Sequence, residues 1–126
     1  MTKILHLTET ESWEAAQEAG VYRQSTRGAT LAEVGYIHYS SEGQLPVVAS
    51  FIYSDYSGEL VVLELDASEI AAAGIEIRFE DGGTGELFPH LCGELQTEWV
   101  RATHRGTMSD GTLSVPDLNN SKGTTP

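Results

Sequence analysis

Leu60-Val61-Val62-Leu63-Glu64-Leu65-Asp66 is the stretch whose reading decides the fold. Its apolar run is broken only by Glu64 and is the length of a strand rather than a helix. A run of this kind is buried on both faces, so it is expected to be a central strand with neighbours on either side. Downstream, Ala67–Ala73 reads as a short helix or turn closed by Gly74. Ile75, Ile77 and Phe79 then alternate with Glu76, Arg78 and Glu80, which predicts a half-buried strand. Upstream, Leu45, Val48, Ala49 and Ile52 fall at i, i+3, i+4 and i+7, the spacing of an amphipathic helix. Ser41 and Gln44 offer it a capping pair, Pro46 is tolerated in its first turn, and Asp55-Tyr56-Ser57-Gly58 ends it.

The flanks are read the same way. Lys3–Leu7 alternates, with Leu5 and Leu7 on one face and Ile4 and His6 on the other. Thr8 and Glu11 have the spacing of a capping box for a helix through Trp13, Ala16 and Ala19, with Gly20 as its stop. Val21–Val34 has no clean period and is expected to be a long loop. Gly35–Ser40 alternates again, setting Tyr36, His38 and Ser40 on one face and Ile37 and Tyr39 on the other. Asp81–Gly85 reads as a turn, followed by Glu86–Leu91 and a last strand over Leu95–Ala102. After Arg105 the chain turns rich in Gly, Ser, Thr, Asn and Pro, so residues 106–126 are expected to be a disordered tail behind a domain of residues 1–105. Helices and strands do not alternate regularly enough for a doubly wound sheet. The fold class expected is α+β, a small single domain with a curved mixed sheet.

Composition limits the partners. The chain has 126 residues, 40% of them hydrophobic, enough for one core and one domain. Its net charge of −12, with the seven basic residues scattered, argues against duplex nucleic acid and against anionic membrane surfaces. The N-terminus reaches Glu9 and Glu11 without a long apolar run, so neither a signal peptide nor a membrane span is expected. The single Cys92 excludes an internal disulfide and fits a reducing cytoplasm. A small-molecule ligand is the partner class left open.

The residues able to carry chemistry are few. His6, His38 and His90 lie in ordered segments, and Ser40 shares a face with His38. Imidazoles lining a cleft exchange protons near neutral pH or hydrogen-bond a ligand; buried beside a core, they are structural. Three histidines and a carboxylate would suffice for zinc, yet no pair has a close metal-ligand spacing, so no metal site is assigned. Neither Cys92 nor Ser40 stands in a recognisable nucleophile motif, and Asp81–Gly85 lacks the lysine of a phosphate loop. Glu80, Asp81 and Glu86 form the dense acidic group beside a strand end, the source of a general base if there is one.

Four motifs occur in order: Lys3-Ile4-Leu5-His6-Leu7, Trp13-Glu14-Ala15-Ala16, Gly35-Tyr36-Ile37-His38-Tyr39-Ser40 and Glu86-Leu87-Phe88-Pro89-His90-Leu91-Cys92-Gly93. Together they resemble the domain of unknown function family numbered 952, over about residues 2 to 102. The resemblance implies a fold similar to that of ADP-ribosyltransferases, a split curved sheet gripping NAD. By position it implies His6 as the ribose-holding residue, and His38 with Ser40 as the lining of the nicotinamide pocket. It further implies Glu80 or Glu86 as the carboxylate that assists transfer, stabilising positive charge on the sugar as in glycosidases. Arg23, Arg27 or Arg78 would supply the pyrophosphate donors, and Tyr36 and His90 further ligand contacts. The chain departs from the family pattern at Tyr39, where a small residue is expected, and at Cys92, where an aromatic is. The alternative is a domain on the same fold that binds a small ligand or a protein without catalysis.

Overall fold

The apolar run at Leu60 is hydrogen-bonded along both edges, as its two-sided burial demands: Val61, Leu63 and Leu65 enter one core while Leu60 and Val62 enter another. The computed structural model describes residues 3–81 and 85–116. In chain order the elements are β1 Lys3–Glu9, α1 Thr10–Ala19, β2 Val21–Tyr22, β3 Gln24–Thr26, β4 Ala29–Thr30, α2 Leu31–Val34, β5 Ile37–His38 and α3 Leu45–Tyr53. They continue with β6 Gly58–Asp66, α4 Ala67–Ala72, β7 Ile77–Asp81, β8 Leu87–Leu91, β9 Leu95–Gln96, a 3₁₀ turn at Thr97–Trp99, β10 Ala102–Ser109 and β11 Thr112–Ser114.

The larger sheet has the order β1-β6-β10-β11, a second sheet has the order β5-β8-β7, and β2-β9 and β3-β4 form two-stranded sheets. Leu5 and Ser40 join them by a two-bond backbone bridge, with Leu5 N–H donating to Ser40 O and Ser40 N–H to Leu5 O, each at 2.8 Å. The result is an α+β domain with a curved, half-barrel sheet. Every strand pair among the described residues is antiparallel, which corrects the mixed sheet expected from sequence.

The alternation of β1 separates two cores. Ile4 packs with Trp13, Tyr22, Ile37, Tyr39, Ile70 and Leu91, whereas Leu5 and Leu7 pack with Leu45, Ala49, Tyr53, Met108 and Val115. Helix α3 forms where its spacing predicts, and Ser41 and Gln44 bond reciprocally ahead of it, Ser41 N–H to Gln44 Oε1 at 2.9 Å and Gln44 N–H to Ser41 Oγ at 3.2 Å. Helix α1 stops at Gly20, whose φ of 80° lies in the left-handed region and lets its N–H reach Ala16 O.

Three local expectations are corrected. The Thr8–Glu11 capping box is absent, because Thr8 belongs to β1 and its hydroxyl is taken by Tyr22. The working box is Thr30–Glu33, inside the segment expected to be loop, which instead holds β2, β3, β4 and α2. Strand β7 was expected to be half-buried, yet Phe79 stands exposed at its edge position.

The expected boundary at Arg105 falls inside β10. The strand runs on to Ser109, turns through Asp110 and Gly111, and returns as β11. Met108 and Val115 are buried in the second core, and at Gly106 an added Cβ would lie 3.0 Å from Leu113 Cδ1. Small and polar residues here face solvent on alternate positions of a hairpin, a pattern that composition alone does not distinguish from disorder. The remainder of the expected tail, residues 117–126, lies outside the described residues.

Removing residues 106–126 is therefore expected to abolish the cooperative thermal transition, since it strips β6 of half its partner strand and opens the second core. Leu63→Ala gives the scale of an ordinary core truncation, about 2–5 kcal/mol in a urea melt. A truncated chain melting like the full one would refute the packing role of the β10–β11 hairpin.

Candidate functional site

The seam between the two sheets is where the histidines meet. His6 is 3% exposed and bonded at both ring nitrogens, Nδ1 to His38 O at 2.6 Å and Nε2 to the Tyr22 hydroxyl at 2.7 Å. A carbonyl only accepts, so Nδ1 carries the proton and Nε2 accepts from Tyr22. The Tyr22 oxygen lies 2.7 Å from Thr8 Oγ1, which closes the chain. Burial lowers the His6 pKa to about 4, so the ring is neutral at pH 7. This corrects the expectation of a catalytic His6: the ring lies beneath the seam with no nitrogen left for a ligand. Ser40, in the bridge to Leu5, is likewise buried and lines only a recess of about 10 Å³. That volume holds at most a water.

The alternation of β5 turns the His38 side chain the other way. Strand pairing sets His38 beside His90 and His90 beside Arg78, with Phe88 beside Glu80 in the next row. Residues directly opposite in antiparallel strands share a face, so these five side chains stand on one surface while Ile37 and Leu91 fill the core behind. His38 Nδ1 lies 3.3 Å from His90 Nε2, and His90 Nδ1 lies 2.7 Å from Glu80 Oε1. Tyr36 stacks flat on the His90 ring, with centroids 4.0 Å apart and planes at 12°. Carboxylate, imidazole and second imidazole thus form a line ending at His38 Nε2, which has no hydrogen-bond partner among the described residues.

His38 is among the residues that line a groove of about 430 Å³, within the range of small-molecule sites. Helix α3 contributes Val47, Val48, Phe51 and Ile52; β3 and the turn after it contribute Ser25, Thr26 and Arg27; Val34, Tyr36, His38, Glu86 and Phe88 complete the lining. Phe51 is 87% exposed and Val47 65%, at the rim. Gln44 holds Glu86 in place, its Nε2 donating to Glu86 Oε2 at 3.0 Å and to Leu87 O at 2.8 Å. Arg27 is engaged, donating to Asp55 Oδ1 at 2.6 Å and to Ile52 O at 3.1 Å, with its guanidinium over the rings of Tyr53 and Tyr56. Burial and the neighbouring His90 lower the His38 pKa to about 4.

The remaining expected residues lie elsewhere. Arg23 is paired with Glu94 and Arg78 with Glu76, and neither lines the groove. Glu80 sits behind His90 rather than in the groove, whereas Glu86 lines it. Tyr39 points into the core, its ring 5.2 Å from that of His6, and does not line the groove. Cys92 is half-buried outside the groove, with its sulfur 3.7 Å from His90 O. The fourth histidine, His104, is bonded to Glu64 across β10 and β6 at 2.8 Å. Among the described residues no three of His, Cys, Asp and Glu are grouped to hold a metal ion.

Sequence reasoning missed Phe51, Val47, Phe88, Ser25 and Thr26. A signal existed for the first two: they are apolar, one turn apart, on the helix face where the stripe of Leu45, Val48, Ala49 and Ile52 predicts polar residues. Ser25 and Thr26 carried none, since their segment has no period.

The neutral state of His6 has a measurable consequence. The unfolded ring takes a proton near its ordinary value of 6.5 and the folded one only near 4. The contribution is thus fully present above about pH 6.5 and is lost as pH falls towards 4, by up to about 3 kcal/mol for a ring so desolvated. His38 titrates in the same window with a smaller effect because it is partly solvated. Urea melts at pH 7 and 4.5 are expected to differ less for His6→Asn than for the parent chain. Identical pH slopes would exclude a buried neutral His6.

The architecture has solved counterparts. The crystal structure of protein CC0527 from Caulobacter crescentus superimposes with a TM-score of 0.78 at 24% identity, covering 93% of this chain and 97% of that one. The solution structure of CC0527 superimposes with a TM-score of 0.71 at the same 24% identity, covering 96% and 97%. At that identity the likeness concerns the fold. A search of curated protein sequences gives no match. The family model described as protein of unknown function, DUF952, matches residues 7–103, and the chain belongs to that family.

Proposed function

We propose that this chain is a small-ligand-binding domain whose groove takes a planar, largely apolar molecule and meets its one hydrogen-bonding group with His38. The observation that carries this reading is the contrast within the groove. Its walls are Val34, Val47, Val48, Phe51, Ile52 and Phe88, and His38 Nε2 is a polar atom without a protein partner among them. Apolar walls around a few convergent polar groups are the usual composition of ligand sites. Exposed Phe51 and Val47 cost solvation in the free protein, a cost that a ligand covering them would remove.

A second reading, ADP-ribosyl-type transfer on NAD, is favoured by one observation: Glu86 lines the same groove as His38 and is held there by Gln44. It lacks support for the pyrophosphate. Arg23 and Arg78 lie outside the groove in ion pairs, and Arg27, the arginine that lines it, already serves Asp55 and Ile52. Two phosphates in so acidic a chain would need free forked donors. The first reading is therefore preferred. The single Cys92 fits a reducing compartment, and among the described residues no helix is long and apolar enough to cross a membrane.

Thermal shift and calorimetric titration with nicotinamide, benzamide and NAD separate the readings. The aromatic amides are expected to raise the melting temperature and NAD to bind no tighter than nicotinamide. Affinity for nicotinamide is expected to fall by about 1–3 kcal/mol in His38→Ala, with under about 1 kcal/mol of stability lost, because the truncated nitrogen faces the groove. NAD binding more than about ten-fold tighter than nicotinamide, a gain of about 1.4 kcal/mol from its phosphates and second nucleoside, would favour the dinucleotide reading. No shift with any of the three would remove the ligand-groove reading.

A further inference from the structure

We infer that Glu80, His90 and His38 form a proton relay and that the groove is catalytic, abstracting a proton from a small planar carbon acid bound against α3. The inference rests on the ligand-groove reading and adds chemistry to it.

Proton positions along the line follow from the partners. Glu80 accepts, so His90 Nδ1 carries a proton; in neutral His90 the Nε2 is then bare and accepts from His38 Nδ1–H. His38, which lines the groove, is left with a bare Nε2 that no described residue engages. When Nε2 takes a proton, His38 Nδ1–H still donates to His90 Nε2 at 3.3 Å, and the Glu80 carboxylate, 2.7 Å from His90 Nδ1, stands at the far end of the line as the countercharge. That is how a carboxylate behind an imidazole serves a general base.

The substrate class follows from what is not coupled to that nitrogen. Ser25, Thr26 and Tyr36 line the groove, but none of their hydroxyls is hydrogen-bonded to His38 among the described residues, and that of Ser25 is buried. The base therefore has no aligned protein nucleophile to activate, and its open edge meets the ligand itself. The apolar lining of Phe88, Phe51 and the valines suits a planar body with an acidic C–H beside a carbonyl or ring heteroatom. Proton transfer within such a molecule is an isomerisation and needs no second reactant. The depressed His38 pKa keeps the ring in its basic form at pH 7. The charged and titratable groups around it are His90 from β8, Glu80 from β7, Tyr36 before β5, Glu86 before β8 and Arg27 between β3 and β4, with the His6 ring on the other side of the strand, bonded to the His38 carbonyl.

A planar probe of this chemistry is 5-nitrobenzisoxazole. Its ring C–H proton goes to His38 Nε2, the C–H electron pair becomes part of a nitrile, and the N–O bond breaks to release a phenolate. The proton on His38 then returns to water, and the coloured product is read directly. The full chain is expected to turn the probe over about 100-fold faster than buffer, at the low end for a positioned base. The rate should rise through about pH 4 with His38 and be flat at neutrality. His38→Ala and His38→Gln should both fall to the buffer rate while retaining the parent's circular dichroism. Should either variant misfold, carbethoxylation of the parent with diethyl pyrocarbonate should silence it and hydroxylamine should restore it.

Glu80→Gln tests the relay. The amide oxygen still accepts from His90, so a purely orienting role would leave the rate and its pH limb unchanged; loss of the charge should slow turnover and move the limb to lower pH. An unchanged profile in Glu80→Gln, or turnover equal to buffer in a chain that binds nicotinamide, would overturn the relay while leaving the ligand groove intact. Failure to bind either nicotinamide or the benzisoxazole would overturn both.

Discussion

The structure depends on how one buried imidazole satisfies its two nitrogens. His6 has no water to turn to, and an unpaired polar atom in that position costs more than a paired one contributes. Its bonds to the His38 carbonyl and the Tyr22 hydroxyl tie β1 to β5 and β2, strands of three different sheets. Together with the Leu5–Ser40 bridge, this fixes the angle at which the larger sheet curves into the smaller one. The small sheet carries every polar residue of the histidine line, so the position of the site is set at this seam.

The same seam assigns opposite roles to two histidines. His38 gives its carbonyl to the core side and its ring to the groove side, because main chain and side chain in a strand point in different directions. Its ring meets His90 because β5 and β8 pair in register at those two residues. A shift of one residue would turn either ring into the core, and the line to Glu80 would not exist. Register, more than residue choice, makes the arrangement.

Charge and apolar surface then divide the surface between them. The net charge of −12 leaves few arginines, and those near the site are held by Glu94, Glu76 and Asp55. The groove is consequently bounded by hydrocarbon and aromatic rings, with Glu86 and Arg27 at its edges. Helix α3 serves both sides: Leu45 and Ala49 enter the core, while Val47 and Phe51 remain at the rim. A helix apolar all round is expected only where both faces are covered.

By itself the sequence determined what short-range physics controls. The central strand at Leu60, helix α3 with its Ser41–Gln44 pair, the stop at Gly20 and the two-faced alternation at Tyr36–Ser40 all follow from local period and capping chemistry. The sequence also supplied a wider set of candidate residues, His6, His38, Ser40, Tyr36, Glu80, Glu86, His90, Arg23 and Arg78, without saying which of them share a surface. Tertiary structure alone decided which of these meet. The sequence pointed to His6 as the partner of His38, because both lie on short alternating strands. Strand pairing between residues 52 apart in the chain brought His90 there instead, and burial made His6 a tie rather than a reactant. The β10–β11 hairpin was illegible for the same reason. Its polar, glycine-rich residues acquire order only from the edge of β6, and no local pattern records which strand will offer an unpaired edge.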